Sequence, residues 1–261
     1  MAKFVVIGER IHCISPAIKK AMDTKDPAPI LKRADEQLKA GATYLDLNIG
    51  PAETGGEALM EWGVKLLQEN FDNVPIALDT ANRKAIEAGI RVYNRSKGKP
   101  IVNSADAGDR IGNIDLAADN DAIAIALCSA EGVPGSVEER QGYCMTMLER
   151  GLEHGMEAED LWFDPLFLVI KGMQDKQSEV LETIRWFAEQ GFNSTGGLSN
   201  VSNGAPKHIR PILDSTMVAM AIQAGLTSAI VNPCDDRLRE AIKSADIIKN
   251  ETLYADSYLE I

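Results

Sequence analysis

Small polar side chains end several of the apolar, strand-like runs in this sequence. Carboxylates accept hydrogen bonds from amino and ring N–H groups, and amides both donate and accept. Such a set suits a flat heterocycle that carries amino, ring N–H and carbonyl groups. Any single member is equally well explained as a helix cap or a turn residue, but six at successive run ends favour a binding site. The six are Asn48, Asp79, Asn103, Asp164, Asn200 and Asn232.

A glycine-rich loop adds to this set: residues 196–204, Gly-Gly-Leu-Ser-Asn-Val-Ser-Asn-Gly. Glycines permit close backbone approach to a flat ligand, and serine and asparagine side chains supply hydrogen-bonding groups without charge. Taken alone, the loop is equally well interpreted as a turn held by Ser199 or Asn200. Polar residues at the end of a barrel strand, however, are what an α/β barrel uses to build a binding site.

The same residue types exclude several kinds of catalysis. The sequence offers no Ser-His-Asp or Cys-His arrangement and no strand-end lysine suited to a Schiff base. The four cysteines include no Cys-x-x-Cys pair, and the three histidines form no ligand spacing with them, so we expect no bound metal. The site is therefore expected to position a reactant whose nucleophile arrives from elsewhere.

Apolar runs alternate with amphipathic segments along the whole chain, which is typical of strands alternating with helices. The predicted strands cover residues 3–7, 43–48, 75–79, 100–104, 122–127, 161–164, 192–198 and 229–232. The predicted helices cover residues 29–40, 57–70, 83–91, 111–118, 137–154, 178–190, 212–224 and 237–249. Eight strands and eight helices predict an α/β fold, a (β/α)8 TIM barrel formed by residues 1–261 as a single domain. All the polar strand ends then face one mouth.

Composition and charge narrow the function classes. The 261 residues are 45% hydrophobic and carry a net charge of −12, which argues against nucleic acid or an anionic membrane as a partner. No signal peptide precedes the first predicted strand and no apolar run reaches membrane-spanning length, so we expect a cytoplasmic protein. No strand is followed by the Gly-x-Gly-x-x-Gly fingerprint that an open dinucleotide-binding sheet needs.

Six stretches, spread in order over essentially the whole chain, resemble one known family. They are Gly-Glu-Arg-Ile at 8–11, Leu-Asp-Leu-Asn-Ile-Gly-Pro at 45–51, Leu-Asp-Thr-Ala-Asn at 78–82, Asn-Ser at 103–104, Asp-Pro-Leu at 164–166 and Gly-Leu-Ser-Asn-Val-Ser at 197–202. The family is the pterin-binding methyltransferases, namely methyltetrahydrofolate:corrinoid/iron–sulfur protein methyltransferase and its close relatives. It consists of dihydropteroate-synthase-like TIM barrels, related also to the folate module of cobalamin-dependent methionine synthase.

The resemblance implies methyl transfer between a pterin nitrogen of methyltetrahydrofolate and the cobalt of a corrinoid (a cobalamin) held on a partner protein. Either direction is open, because acetogenic members move the methyl group to the corrinoid and relatives in methylamine or betaine catabolism move it back. Cobalt is the nucleophile, which agrees with the lack of one in the chain. The family also implies a homodimer.

The resemblance assigns roles to particular residues. Those matching Asp79, Asn103 and Asp164 hydrogen-bond the pterin, and the one matching Asn200 lies beside the methyl-bearing nitrogen. The remaining members of the expected pterin site are Asn48, Gly197, Ser199 and Asn203. Position 203 departs from the family, where a glutamine is common in acetogenic members.

A short basic segment follows the glycine-rich loop. Lys207 and Arg210, with His208 between them, could meet the glutamate tail of a folate, although a basic surface loop is more often merely solvated. At the end of the first strand, Glu9 and Arg10 could pair with each other structurally, and neither is assigned a part in catalysis.

Two alternatives remain beside the methyltransferase. Dihydropteroate synthase has the same fold but needs a lysine near the glycine-rich loop, and residues 196–204 contain none. A non-catalytic folate-binding module that docks into a corrinoid assembly would present the same pterin pocket without turnover.

Overall fold

The computed structural model describes residues 4–259; the first three and last two residues of the predicted domain, with the predicted start of strand one at Lys3, lie outside this part. Its strands are β1 (Val5–His12), β2 (Tyr44–Asn48), β3 (Ile76–Asp79), β4 (Ile101–Asp106), β5 (Ile123–Leu127), β6 (Leu161–Asp164), β7 (Asn193–Ser194) and β8 (Ser228–Val231). Its helices are α1 (Pro16–Thr24), α2 (Pro27–Lys39), α3 (Gly56–Asn70), α4 (Arg83–Arg91), α5 (Gly112–Asp119), α6 (Val137–Glu153), α7 (Ile170–Met173), α8 (Gln177–Gln190), α9 (Arg210–Ala224) and α10 (Asp236–Ile248).

The strands form one parallel sheet in the order β7-β6-β5-β4-β3-β2-β1-β8. The ring closes just beyond β7, where the Ile230 N–H donates to the Gly196 carbonyl at 2.9 Å and Gly197 forms a bridge with Ile230. The structure therefore has the TIM-barrel architecture expected from the alternation of strands and helices.

The two-residue period of the strands decides which side chains enter the barrel. An apolar group lies inside its lower part, comprising Ile7, Ala77, Ile101, Ile123, Ile125 and Trp162. Two residues further along the same strands, on the same face, come polar residues: Glu9 after Ile7, Asp79 after Ala77, Asn103 after Ile101 and Asp164 after Trp162. The apolar layer thus plugs the bottom of the barrel, and the polar residues open at the carboxyl ends of the strands.

The alternate strand residues, whose side chains point outward from the barrel, form the main core between the strands and the helices. Phe163 of β6 is fully buried there, with its ring 5.7 Å from that of Phe187 in α8 and 5.1 Å from that of Phe192. Helix starts are fixed by side-chain caps, such as Asn82 of α4 and Asp235 of α10, whose oxygens accept backbone N–H groups of the first turn. These caps stand beside the mouth, so they also fix the loops around it.

The structure differs from the prediction at four elements. The short helix α7 was not predicted, because its four residues include Lys171 and Gly172 with non-helical backbone angles and show no helical period. Strand β1 runs on to His12, beyond the predicted end at residue 7. The prediction stopped early because a register shift between Gly8 and Ile11 interrupts the apolar pattern. Helix α1 was not predicted, although Pro16 at its first turn and buried Ile18, Ala21 and Met22 are helix signals. The predicted strand 192–198 is much shorter, because beyond Ser194 the described pairing consists of the Thr195 N–H bond to the Phe163 carbonyl and the bridge that closes the barrel.

Replacing Phe163 with alanine tests the packing of this outer layer. Loss of a fully buried aromatic side chain leaves a cavity, and we expect the free energy of unfolding to fall by about 3–5 kcal/mol. Urea denaturation measures it. The control is Ile248→Ala, at a side chain that is 82% exposed, for which a change within about 0.5 kcal/mol is expected. Equal effects of the two substitutions would contradict the described core.

Candidate active site

A cavity of about 750 Å³ opens at the carboxyl ends of the strands, within the range of roughly 300–1,000 Å³ usual for small-molecule sites. It brings together residues that lie far apart in the sequence. All the site residues predicted from the sequence line it: Asn48, Asp79, Asn103, Asp164, Gly197, Ser199, Asn200, Asn203, Lys207 and Arg210, together with Asn232. His208, the middle residue of the basic segment, is exposed and is not among the lining residues.

The floor of the cavity is a hydrogen-bonded group from three adjacent strands. The Asn48 amide of β2 donates to Asp79 of β3, while its oxygen accepts the Gly50 N–H at 3.0 Å. The Asn103 amide of β4 donates to the Asp46 carboxyl at 3.0 Å. Because each amide nitrogen has a carboxyl partner, the orientation of both amides is fixed before any ligand arrives.

Asp164 of β6 is the second predicted acid of the site. The Leu166 N–H donates to its Oδ1 at 2.8 Å, and burial raises the pKa of its carboxyl to about 7 against the opposing effect of two backbone N–H groups. Gly196 passes directly behind it: a Cβ there would lie 2.5 Å from the Phe167 ring and 2.9 Å from Asp164 Oδ1. The first glycine of the loop is therefore required for this close approach.

The glycine-rich loop forms a short helical turn, Leu198–Ser202, above the floor. The Ser199 hydroxyl donates to Glu9 Oε2 at 2.7 Å, and the Ser202 hydroxyl donates to Asp214 Oδ2 of α9 at 3.0 Å. Asn200 stands between these two anchors and is exposed at the mouth. The loop is thus tied on both sides, and its asparagine faces the opening.

Glu9 corrects one prediction. It does not pair with Arg10: neighbouring strand residues point to opposite sides, and the Arg10 guanidinium leaves the barrel to donate to Glu36 Oε2 of α2 at 2.7 Å. Glu9 lines the cavity, where burial raises the pKa of its carboxyl to about 7 and the charge of Asp214 adds to the effect. The signal that would have found it is its spacing of two from Ile7.

Acidic side chains predominate around the cavity. Among the described residues, six carboxyl groups line it and only two cationic side chains do, Lys207 and Arg210. Sequence reasoning missed three of the acids, Glu9, Asp214 and Asp235, as lining residues. It also missed His12, and burial lowers the pKa of this imidazole. Asp214 lies one helical turn from Arg210 and Pro211 on α9, a spacing of three to four residues that places them on one face.

Similarity to a protein family identifies the family to which this chain belongs. A model described as "Pterin binding enzyme" matches residues 15–232, most of the chain. The chain belongs to the pterin-binding enzyme family. A pterin is the flat heterocycle with amino, ring N–H and carbonyl groups that the polar strand ends suit.

Individual relatives of this pterin-binding enzyme agree with the family. The chain is 26% identical over 251 residues to methylcorrinoid:tetrahydrofolate methyltransferase of Eubacterium limosum, an alignment that covers 94% of this chain and 90% of that protein. It is 27% identical over 244 residues to methionine synthase of Mycobacterium leprae, covering 87% of this chain but only 20% of that protein.

Solved structures confirm the fold of this pterin-binding enzyme. A dihydropteroate synthase from Coxiella burnetii in complex with pteroic acid superposes with a TM-score of 0.74 at 14% identity, covering 97% of this chain and 95% of that one. The Yersinia pestis dihydropteroate synthase superposes with a TM-score of 0.71 at 17% identity, covering 95% and 94%. At such identities the likeness concerns the fold alone.

Two further features of residues 4–259 concern membranes and metals. No helix in this range is long and apolar enough to pass through a membrane. Within the same residues, His, Cys, Asp and Glu side chains form no group of three arranged to hold a metal ion.

The pKa of Asp164 has a consequence for the ligand-free protein. In the unfolded chain an aspartate has a pKa of about 3.9, whereas burial raises the pKa of Asp164 to about 7. Between these values the folded state retains a proton that the unfolded state has released, so this residue's contribution to stability is present at low pH and lost as pH rises towards 7. We expect Asp164→Asn to flatten the decline by up to about 1.4 kcal/mol per pH unit.

Urea denaturation at a series of pH values measures the slope for parent and variant. Asp175→Asn, at an exposed aspartate, is the matched control and should keep the parent's slope. If Asp164→Asn left the slope unchanged, Asp164 would not be a buried, protonated acid in this pH range.

Proposed function

We propose that this enzyme transfers a methyl group between the pterin nitrogen of methyltetrahydrofolate and the cobalt of a corrinoid bound to a partner protein. The observation that carries the proposal is a pterin-family cavity furnished with amides and acids, closed by a loop that holds an asparagine and no lysine. Similarity to methylcorrinoid:tetrahydrofolate methyltransferase along 94% of the chain supports it. Cytoplasmic location and a homodimer stay predictions from the sequence.

The cavity suits a pterin by its hydrogen-bonding groups and its depth. Asp79 and Asp164 accept from the amino and ring N–H groups, and Asn103 offers its amide oxygen because its nitrogen is held by Asp46. Asn48 orients Asp79. Gly197 and Ser199 form the wall that the ring faces, with Asn203 at the rim beside Asn200, its amide 3.4 Å from Asn200 Oδ1.

Asn200 is assigned to the reacting nitrogen. The bond between the methyl carbon and the pterin nitrogen breaks during transfer. The electron pair of this bond stays on the weakly basic amine nitrogen, which must take up a proton. Hydrogen-bond donation that strengthens in the transition state lowers this barrier, and the Asn200 amide supplies it, directly or through one water. The corrinoid, when bound, supplies the electron pair that forms the new bond to the methyl carbon.

The two remaining alternatives receive less support. Dihydropteroate synthase chemistry releases pyrophosphate, yet six of the charged groups that line the cavity are acids and two are cations. Pyrophosphate release from a pterin pyrophosphate substrate would reveal dihydropteroate synthase activity. A non-catalytic folate-binding module is tested with cob(I)alamin and methyltetrahydrofolate: such a module would bind the folate without forming methylcobalamin, whereas the proposed enzyme forms it.

Asn200→Ala tests the assigned role. We expect methyl transfer to fall by roughly 100-fold, because the variant lacks the donor that acts in the transition state, while the Kd for methyltetrahydrofolate rises much less. Single-turnover absorbance with cob(I)alamin measures the rate, and fluorescence titration measures binding. Asn70→Ala, at an exposed asparagine of α3, is the matched control. Turnover at the parent's rate in Asn200→Ala would refute the assignment.

Lys207 and Arg210 are proposed to hold the glutamate tail, since they are the cations among the described lining residues. Reversing both charges, Lys207→Glu with Arg210→Glu, should weaken polyglutamylated tetrahydrofolate by about tenfold or more while a tail-free pterin is little affected. Raising salt should reduce the difference. Lys65→Glu, at an exposed lysine of α3, is the control. Equal polyglutamate affinity in the double variant and the parent would dispose of the tail contact.

A further inference from the structure

Asp46 accepts a hydrogen bond from Asn103 in the floor of the cavity, and its own protonation state decides what else it can do there. It is the central residue of β2 and is only 3% exposed. Its Oδ1 accepts the Asn103 amide at 3.0 Å, and its carboxyl group is also in hydrogen-bonding contact with that of Asp79. Neither contact is a cation, so the arrangement does not compensate a negative charge on Asp46.

Two buried carboxyl groups in contact cannot both be ionised, because like charges repel strongly where water is excluded. A proton between them makes the contact a hydrogen bond. The proton belongs on the group whose negative charge is less favoured. Asp79 has the Asn48 amide as a donor and lies in the positive field of Arg110, whereas Asp46 has only the Asn103 amide.

The surroundings of Asp46 point the same way. Besides Asp79 on β3, the charged group that acts on it is Glu9 on β1, which is also an acid. Burial, followed by these two negative charges, raises the pKa of Asp46 well above its usual range. Because Oδ1 already accepts from Asn103, Oδ2 is the oxygen left to carry a proton and to donate it towards Asp79.

We propose that Asp46 acts as a neutral carboxylic acid that positions both pterin-binding residues, donating to Asp79 and accepting from Asn103. The inference rests on the proposed function, since it names the residue that sets how Asp79 and Asn103 meet the ring. With the Asn103 nitrogen held by Asp46, its oxygen is turned to the ligand. Asp79 has no cation among its described hydrogen-bond partners, so it keeps its negative charge and its remaining lone pairs.

The result is a floor that presents acceptors only. It selects the edge of a heterocycle that carries two adjacent N–H donors, as an amino group beside a ring N–H does in a pterin. A heterocycle with a carbonyl beside an unprotonated ring nitrogen would place acceptors against acceptors and is rejected. Asp46 is therefore a positioning residue that contributes to specificity through Asp79 and Asn103.

Two substitutions at this position separate a neutral acid from a carboxylate. Asp46→Leu removes both hydrogen bonds at similar volume, and we expect tetrahydrofolate binding to weaken by roughly 10–100-fold. Asp46→Asn reproduces the neutral acid, since its amide nitrogen donates to Asp79 and its oxygen accepts from Asn103. It should restore affinity to within about threefold of the parent.

Titration of tetrahydrofolate against parent and both variants is the measurement. If Asp46→Asn bound as poorly as Asp46→Leu, a negative charge would be required and the proposal would be overturned. Parent-like binding in Asp46→Leu would also overturn it, since Asp46 would then position nothing. Circular dichroism of each variant identifies a loss of affinity that comes from misfolding.

A spectroscopic test needs neither ligand nor turnover. In protein labelled with carbon-13 aspartate, the parent should show a protonated carboxyl C=O stretch at about pH 8, above the pKa of about 7 of Asp164. The band should be missing from Asp46→Asn, and its absence from the parent would overturn the proposal. If instead the band is present but the parent binds no tetrahydrofolate, the proposed function fails while the protonation of Asp46 stands.

Discussion

Loss of solvation of acidic side chains is the constraint on which the mouth of this barrel depends. Glu9, Asp46, Asp79 and Asp164 come from four strands, and burial is the largest cause of the raised pKa of each. Among the described residues, no cation is paired with Asp46 and only two cations line the cavity. The acids are therefore kept in a state that a ligand with several N–H donors relieves. Recognition of such a ligand and the raised pKa values of these acids therefore have the same physical origin.

The apolar layer below the acids is what keeps that constraint in force. Ile7, Ala77, Ile101 and Trp162 fill the lower barrel, so water cannot reach the acids from beneath. Trp162 is braced by Tyr44, with ring centroids 5.7 Å apart and nearly perpendicular. Because the plug and the acids occupy alternate inward positions of the same strands, the stability of the barrel and the electrostatics of the site are coupled.

This alternation also explains what could be predicted from the sequence. Asp79, Asn103 and Asp164 were found because each ends an apolar run whose inward parity is unbroken. Glu9 was misassigned because the irregularity between Gly8 and Ile11 in β1 hid its inward position. The extent of β7 was overestimated because closure there depends on the bridge from Gly197 and on hydrogen bonds of Ser194 to Thr227, and long-range pairing leaves no local pattern. The hydrogen bond between Ser199 and Glu9, 190 residues apart, is likewise invisible to local reasoning.

The neutrality of the glycine-rich loop follows from the acids around it. A lysine at position 200 would form an ion pair with one of the carboxyl groups that line the cavity, lowering its pKa and occupying oxygens that would otherwise accept from a ligand. An amide donates a hydrogen bond without changing the protonation of its neighbours. In the proposed methyl transfer it also serves either direction, because the donor that assists a departing nitrogen is the one that a returning methyl group displaces from the same lone pair. A reversible reaction is therefore better served here by Asn200 than by any charged side chain.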